Sequence, residues 1–134
     1  MPKLDRLLES ALYVDDPKRS AHFYQRLFGF ELIRAGERMH VLSVEGKQIL
    51  LLCKKGASAN ITSPPPHDGD GHLHLAFAIP AAELGTWETW LGQNGVPIEE
   101  KITWELGGCS LYFRDPDHHL VELATPGVWS ESTY

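Results

Sequence analysis

Apolar and polar residues follow one another in this chain in an order that occurs twice. In the first half, an apolar run at residues 8–14 predicts a strand, and apolar side chains recur at helical spacing through residues 17–28. Asp16 is suited to cap the start of that helix and Gly29 to end it. Three short extended segments are predicted to follow, at residues 30–34, 39–44 and 48–53. The predicted order is β-α-β-β-β.

The second half repeats this order. Residues 72–79 predict a strand and residues 82–93 a helix. Three extended segments follow at residues 98–104, 110–113 and 119–124, the last two joined by a turn at 115–118. Between the halves, residues 56–71 contain consecutive prolines and repeated Asp-Gly pairs, which interrupt regular structure. We interpret this segment as a connector that either wraps around the body or folds over a site as a lid.

The duplicated order predicts an α+β fold made of two βαβββ modules. The expected single domain spans residues 1–134, with module 1 at about 5–55, the connector at about 56–71 and module 2 at about 72–126. Each module has a helix on one face of its sheet and leaves the other face open. The two open faces together predict a concave, barrel-like sheet with an internal cleft, where function is expected.

Composition narrows the possible functions. The chain has 134 residues and a formal net charge of −6, without a basic stripe, which argues against nucleic-acid binding. Its charged beginning and the lack of a long apolar run predict a cytoplasmic protein that does not enter a membrane. Cys53 and Cys109 are far apart in sequence, so reduced thiols are expected.

Three residues in equivalent parts of the repeat have side chains that bind metals. Glu9 and His74 each begin the first strand of a module, and Glu122 interrupts the apolar strand at 120–124. Each has an ordinary interpretation as well, such as a solvent-facing carboxylate or a hydrogen-bonded core histidine. A carboxylate inside an apolar strand is costly unless it is paired. Their matching positions favour a shared metal site.

Strand alternation assigns further residues to the cleft face. The turn at 115–118 predicts that Leu111 lies opposite Glu122 and that Phe113 lies opposite Leu120. The turn at 45–48 places His40 opposite Cys53, on the face predicted for Glu9. A shift of one residue in either pairing would reverse these faces.

Candidate catalytic and substrate-binding residues follow from these faces. His40 is a candidate general base, and Glu9 is the alternative base if it is released from the metal. Trp104, close to two glycines, is expected near the cleft mouth, and Phe113 is a further candidate substrate contact. Arg114 is a candidate partner for a substrate anion, with a salt bridge to a nearby aspartate as the ordinary alternative.

The repeat and two motifs resemble the vicinal oxygen chelate superfamily, which includes glyoxalase I, bleomycin-resistance proteins, fosfomycin-resistance enzymes and extradiol dioxygenases. The motifs are the segment at 12–30, ending Leu-Phe-Gly-Phe, and the tail at 110–123, containing Phe-Arg-Asp-Pro-Asp. The resemblance implies a divalent metal, Mn, Ni, Fe, Zn or Mg, bound by Glu9, His74 and Glu122. The fourth ligand position of some members falls on Leu51, which cannot bind a metal. His118 stands where the family commonly has glycine.

The resemblance implies a small-molecule substrate and leaves three classes of function to consider. The first hypothesis is a metal-dependent lyase or isomerase that acts on a small oxygenated molecule through Lewis-acid catalysis. One alternative is a metal-free protein that binds a small molecule, as bleomycin-resistance proteins do. Another is thiol transfer to an antibiotic such as fosfomycin. A homodimer is expected, with the cleft formed either within one chain or across two.

Overall fold

The computed structural model describes residues 1–130 and divides after Gly71 into two compact units. The first unit contains β1 Glu9–Val14, α1 Pro17–Phe28, β2 Glu31–Ala35, β3 Met39–Val44 and β4 Gln48–Lys54. The second unit, which begins at His72, contains β5 His74–Ala78, a 3-10 turn at Ala81–Glu83, α2 Leu84–Gln93, β6 Glu100–Thr103, β7 Cys109–Arg114 and β8 Leu120–Ala124. The predicted α+β fold with two βαβββ modules is confirmed.

Each unit has its own four-stranded mixed sheet, and the two sheets have the same topology. The strand order is β1-β4-β3-β2 in the first and β5-β8-β7-β6 in the second. In each sheet the first and last strands of the unit run parallel as neighbours, and the other pairs are antiparallel. Within residues 1–130, the strands therefore form two separate four-stranded sheets, one in each unit.

Strand register confirms the equivalence of the two halves. Glu9 and His74 are the first residues of β1 and β5. The residues two positions further along pair with Leu51 of β4 in the first sheet and with Glu122 of β8 in the second. Leu51 therefore occupies the place in the first unit that Glu122 occupies in the second, as the repeat predicts.

Pairing of β7 with β8 differs by one residue from the prediction. Glu122 pairs with Tyr112, where Leu111 was predicted. Phe113 correspondingly pairs with Val121. Because successive residues of a strand point to opposite faces, this difference moves Phe113 away from the face that carries Glu122.

The turn between β7 and β8 explains the difference. The backbone N–H of Asp115 donates to the carbonyl of His119 at 3.1 Å, so the loop consists of the three residues between them rather than the predicted four. The last loop residue, His118, has φ of 63°. A residue in this left-handed conformation commonly completes a three-residue hairpin loop. The Asp115 carboxylate accepts hydrogen bonds from the backbone N–H groups of Asp117 and His119 and holds the turn.

The β3–β4 hairpin shows the same correction in the first unit. Glu45 and Gly46 both have positive φ, 53° and 66°, and the loop again has three residues before Gln48 pairs with Val44. His40 therefore pairs with Leu52 rather than Cys53. Leu52 is fully buried and pairs with Leu12 of β1. Because side chains alternate between the two faces along a strand, Leu12 and Glu9 lie on opposite faces of the sheet. The prediction that His40 shares a face with Glu9 is wrong.

Helix α1 covers the buried face of the first sheet. Asp16 accepts hydrogen bonds from the backbone N–H groups of Lys18 and Arg19 at 3.0 and 3.2 Å, and Gly29 ends the helix at φ of 68°. Tyr24 of the helix is fully buried, as are Leu52 and other core residues. This packing leaves the opposite face of the sheet, which carries Glu9, without a covering helix from its own unit.

The connector folds back onto the first unit. The Tyr13 hydroxyl lies 2.7 Å from His67 Nδ1, and the Asp68 carboxylate accepts from the backbone N–H of Gly56. The backbone of Gly69 lies against the Tyr13 ring, so closely that a Cβ at this position would come within 2.4 Å of a ring carbon. The segment is thus anchored at the end of β1.

Replacing Gly69 with alanine is expected to lower the free energy of unfolding by about 1–3 kcal/mol, because the added methyl group displaces the hydrogen-bonded Tyr13 ring. Urea unfolding measures the change, and limited proteolysis locates it in residues 56–71. The control is Gly85→Ala in α2, where a Cβ meets nothing within 4 Å and no loss of stability is expected. Equal stability of the two variants would contradict the packing described for Gly69.

No helix within residues 1–130 is both long enough and apolar enough to cross a lipid bilayer.

Candidate functional site

A buried carboxylate with organised donors lies on the open face of the second sheet. Glu122 is only 7% exposed. Its Oε1 accepts hydrogen bonds from the Ser110 hydroxyl and, at 3.0 Å, from the Tyr112 hydroxyl. Trp104 Nε1 donates to the Ser110 oxygen at 2.8 Å, which fixes the Ser110 hydroxyl as the donor to the carboxylate. One oxygen of Glu122 is therefore fully occupied and the carboxylate is held in a single orientation.

His74 faces the other oxygen of this carboxylate. Its Nε2 lies 3.3 Å from Glu122 Oε2, and its Nδ1 lies 2.9 Å from the carbonyl of Leu120. A carbonyl only accepts hydrogen bonds, so Nδ1 carries a proton and donates it. In the neutral imidazole, Nε2 then presents a lone pair to a carboxylate oxygen that also has lone pairs. A cation, either a proton or a metal ion, is needed between these two atoms.

The pair fits a divalent metal in donor type and separation. A carbonyl that fixes the tautomer of a histidine is the usual support of a metal-bound imidazole. Two ligands of one tetrahedral zinc ion, at bond lengths typical of nitrogen and oxygen, stand roughly 3.4 Å apart. The observed separation is 3.3 Å. Among residues 1–130, no group of three or more His, Cys, Asp or Glu is placed to hold a metal ion, so the pair by itself supplies two ligands.

Tyr112 is a stable donor in this network. Burial raises the pKa of its hydroxyl; the hydrogen bond with Ser110 lowers that pKa, and the hydrogen bond to Glu122 raises it, with a net increase from 10.0. The hydroxyl is therefore protonated at neutral pH and donates to the carboxylate rather than repelling it.

Strand geometry brings these side chains together. Tyr112 lies directly opposite Glu122 across the β7–β8 pair, and Ser110 is its diagonal neighbour. His74 reaches Glu122 diagonally from the parallel strand β5. Trp104 follows β6 in a tight loop closed by the hydrogen bond from the N–H of Gly107 to the Trp104 carbonyl, at 2.9 Å. Three strands of the sheet, β5, β7 and β8, and the loop after β6 thus contribute to one cluster.

The family model of the Glyoxalase/Bleomycin resistance protein/Dioxygenase superfamily matches residues 3–123. The chain belongs to this superfamily. The resemblance seen in the sequence motifs is therefore confirmed.

Individual members of the superfamily show how varied its activities are. Metallothiol transferase FosB of Staphylococcus epidermidis is 29% identical over 113 residues, which cover 84% of this chain and 75% of that protein. Catechol-2,3-dioxygenase of Bacillus subtilis is 29% identical over 107 residues, 79% of this chain but only 36% of the dioxygenase. The crystal structure of lactoylglutathione lyase from Agrobacterium tumefaciens matches with a TM-score of 0.90 and 28% identity, covering 96% of this chain and 99% of that one.

His74 and Glu122, two of the three predicted metal ligands, lie side by side. Glu9 is an exposed residue at the start of β1 in the first unit. Its participation as a third ligand stays a prediction. Leu51, on the same face of its sheet as Glu9, provides no ligand at the equivalent of Glu122.

Sequence reasoning missed Ser110 and Tyr112. Both lie in β7, and the predicted pairing placed Leu111 opposite Glu122 instead. The signal was available in the turn: a three-residue loop with a left-handed third residue would have shifted the pairing by one position. A polar Ser and Tyr at alternate positions of an otherwise apolar strand would then have faced the carboxylate.

The predicted substrate-contacting residues have different environments. Phe113 is fully buried in the core, so the prediction that it contacts substrate is wrong. Trp104 is 37% exposed beside the Glu122 network. Arg114 donates from Nε to Glu99 at 2.7 Å, rather than to Asp115 or Asp117. An incoming anion would have to compete with Glu99 for this guanidinium group.

The remaining candidate groups are His40 in the first unit and one cysteine in each unit. His40 is half-buried, and its Nδ1 is enclosed without a hydrogen-bond partner among residues 1–130. Cys53 and Cys109 are both free thiols, as expected. Burial raises the pKa of the Cys53 thiol, with Arg38 lowering it and Glu9 raising it, so the thiol is a poor nucleophile at neutral pH.

Proposed function

We propose that this protein is a divalent-metal-dependent enzyme that acts on a small oxygenated molecule, in a lyase or isomerase type of reaction. The observation that carries the proposal is the facing pair of His74 Nε2 and Glu122 Oε2. The second atom of each group is already occupied, by the Leu120 carbonyl and by two hydroxyl donors respectively. Both free atoms are thus reserved for a shared cation.

The ligand set proposed is Glu9, His74 and Glu122. A set of two carboxylates and one imidazole suits Mn²⁺, Fe²⁺, Ni²⁺, Zn²⁺ or Mg²⁺ and leaves positions for water or substrate oxygen. When bound, such an ion supplies Lewis acidity that stabilises negative charge on a substrate oxygen. Ser110 and Tyr112 orient the Glu122 carboxylate, and the Leu120 carbonyl orients the His74 ring.

The general base is proposed to be Glu9, which would have to be released from the metal to accept a proton. His40, the other candidate, lies on the opposite face of its sheet from Glu9, so its predicted place beside the metal is lost. Trp104 is proposed to border the substrate, because its exposed ring adjoins the network around Glu122. The resemblance to lactoylglutathione lyase and to FosB supports a small-molecule substrate.

Two alternatives are each favoured by one observation. A proton between His74 and Glu122 would satisfy the same 3.3 Å contact as an ordinary ion pair, which suits a metal-free binding protein. Similarity to FosB over 84% of the chain favours thiol transfer as the reaction of a metalloenzyme. Metal binding separates the first alternative from the proposal, and assay with a thiol and an epoxide separates the second.

The test is Mn²⁺ binding to the purified protein and to the double variant E9A/H74A, measured by elemental analysis and isothermal titration calorimetry. Mn²⁺ is the appropriate probe because it prefers carboxylate-containing sites and binds imidazole weakly. We expect the wild type to bind one ion per chain and the double variant to lose it.

The matched control is H22A/E31A, which removes the same two residue types at exposed positions of the first unit. This variant is expected to bind Mn²⁺ like the wild type. Equally weak binding of Mn²⁺, Fe²⁺ and Zn²⁺ by the wild type and by E9A/H74A would overturn the enzyme proposal in favour of the binding protein.

A further inference from the structure

A pair of exposed histidines lies outside the network described above. The rings of His72 and His118 have centroids 5.7 Å apart and planes inclined at 49°. Both border an open cavity of about 540 Å³, together with Pro97, Glu99 and Arg114. Within residues 1–130, neither imidazole has a hydrogen bond or an ion pair. Their ring nitrogens are therefore available to a ligand.

The separation of the rings suits two ligands of one metal ion. An imidazole nitrogen binds a transition-metal ion at about 2.0–2.1 Å, so two rings on one ion have centroids about 5–6 Å apart. The observed 5.7 Å lies in this range. Exposure of both residues leaves room for water at the other coordination positions.

The other polar groups of this cavity are already engaged. Arg114 donates to Glu99 from Nε at 2.7 Å and to the His118 carbonyl at 3.1 Å. The hydrogen bond from Arg114 lowers the pKa of the Glu99 carboxyl, so Glu99 remains an anion paired with the guanidinium group. The cavity thus offers two free imidazoles beside a neutralised ion pair.

We propose that His72 and His118 form a second transition-metal site, distinct from the His74–Glu122 pair. Two neutral imidazoles with water select Ni²⁺, Cu²⁺ or Zn²⁺ over Mn²⁺ or Mg²⁺, following the general order of affinities and the preference of imidazole. The ion would join the segment just before β5 to the turn that precedes β8. It would thereby tie together the starts of the two strands that carry His74 and Glu122.

The backbone at His118 provides a variant that removes the ligand without harming the fold. His118 has φ of 63°, a conformation that a glycine adopts without strain. H118G is therefore expected to fold at least as well as the wild type when metal is absent. The structural turn does not need the imidazole, because its holding contacts come from Asp115 and the backbone.

The test is Ni²⁺ titration in the E9A/H74A background, followed by isothermal titration calorimetry and thermal unfolding. We expect one Ni²⁺ per chain and a rise in Tm with added Ni²⁺, because an ion that binds only the folded state stabilises it. Adding H118G or H72A is expected to abolish both effects, whereas adding H22A, at an exposed helical position, leaves them unchanged. In the wild type, Ni²⁺ should broaden the ring NMR signals of His72 and His118.

Ni²⁺ binding that survives H118G, or no Ni²⁺ binding in E9A/H74A, would overturn this second site. The outcome is independent of the proposed function, since Mn²⁺ binding to the wild type reports on Glu9, His74 and Glu122 alone. A protein that lacks the Mn²⁺ site can still have the Ni²⁺ site, and a protein that lacks the Ni²⁺ site can still have the Mn²⁺ site.

Discussion

Replacing Phe113 with alanine is expected to lower the free energy of unfolding by about 3–5 kcal/mol. The Phe113 ring is fully buried and β7 places it opposite Val121, also fully buried, in the core of the second unit. Truncation removes apolar surface from the core and leaves a cavity that the surrounding strands fill only in part. Urea unfolding, monitored by tryptophan fluorescence and circular dichroism, measures the loss.

The control for this variant is Leu106→Ala in the same unit. Leu106 is 66% exposed, so its truncation should change stability by about 0.5 kcal/mol or less. The comparison also separates the core role of Phe113 from the substrate contact predicted from sequence. A Phe113→Ala protein with wild-type stability and weakened ligand binding would restore the substrate interpretation.

Replacing Glu122 with glutamine is expected to abolish Mn²⁺ binding while the fold is retained. The amide oxygen still accepts from Ser110 and Tyr112 in place of the carboxylate Oε1. The amide NH₂ then lies where Oε2 was, 3.3 Å from His74 Nε2, and donates to that nitrogen. A hydrogen bond thus takes the place of the cation between the two side chains. We expect the variant to lose Mn²⁺ affinity, measured by isothermal titration calorimetry, and to keep its fold.

Two companion variants sharpen this prediction. Tyr112→Phe removes one of the donors that orient the carboxylate and is expected to weaken Mn²⁺ binding about 10–100-fold without abolishing it. Glu100→Gln removes an exposed carboxylate that lies opposite Tyr112 in β6 and is expected to leave binding unchanged. Wild-type Mn²⁺ affinity in E122Q would show that Glu122 is not a ligand.

Much of the fold could be predicted because local signals agreed with one another. Asp16, Pro17 and Gly29 mark the ends of α1, and the structure places these ends where the sequence did. The repeat also predicted correctly that Leu51 and Glu122 are equivalent. In each unit the last strand pairs with the first strand in the same register, so both residues lie opposite the third residue of that first strand.

The errors in assigning side chains to sheet faces have a single physical origin, which is the length of two hairpin loops. Each loop has three residues and includes a non-glycine residue with positive φ, Glu45 in one and His118 in the other. Side chains alternate with a period of two along a strand, so an error of one residue exchanges the two faces. His40 and Phe113 were therefore placed on the wrong faces, and Tyr112 was overlooked.

The order of apolar and polar residues was enough by itself to determine two βαβββ units, the ends of α1 and the equivalence of Glu9 with His74. These properties depend on short-range backbone preferences and on a repeated pattern, and both can be recognised from the sequence alone. Only the tertiary structure decided which atoms meet at Glu122. Its hydroxyl donors and the tautomer of His74 depend on strand register and on a carbonyl from a neighbouring strand, which a linear pattern does not specify.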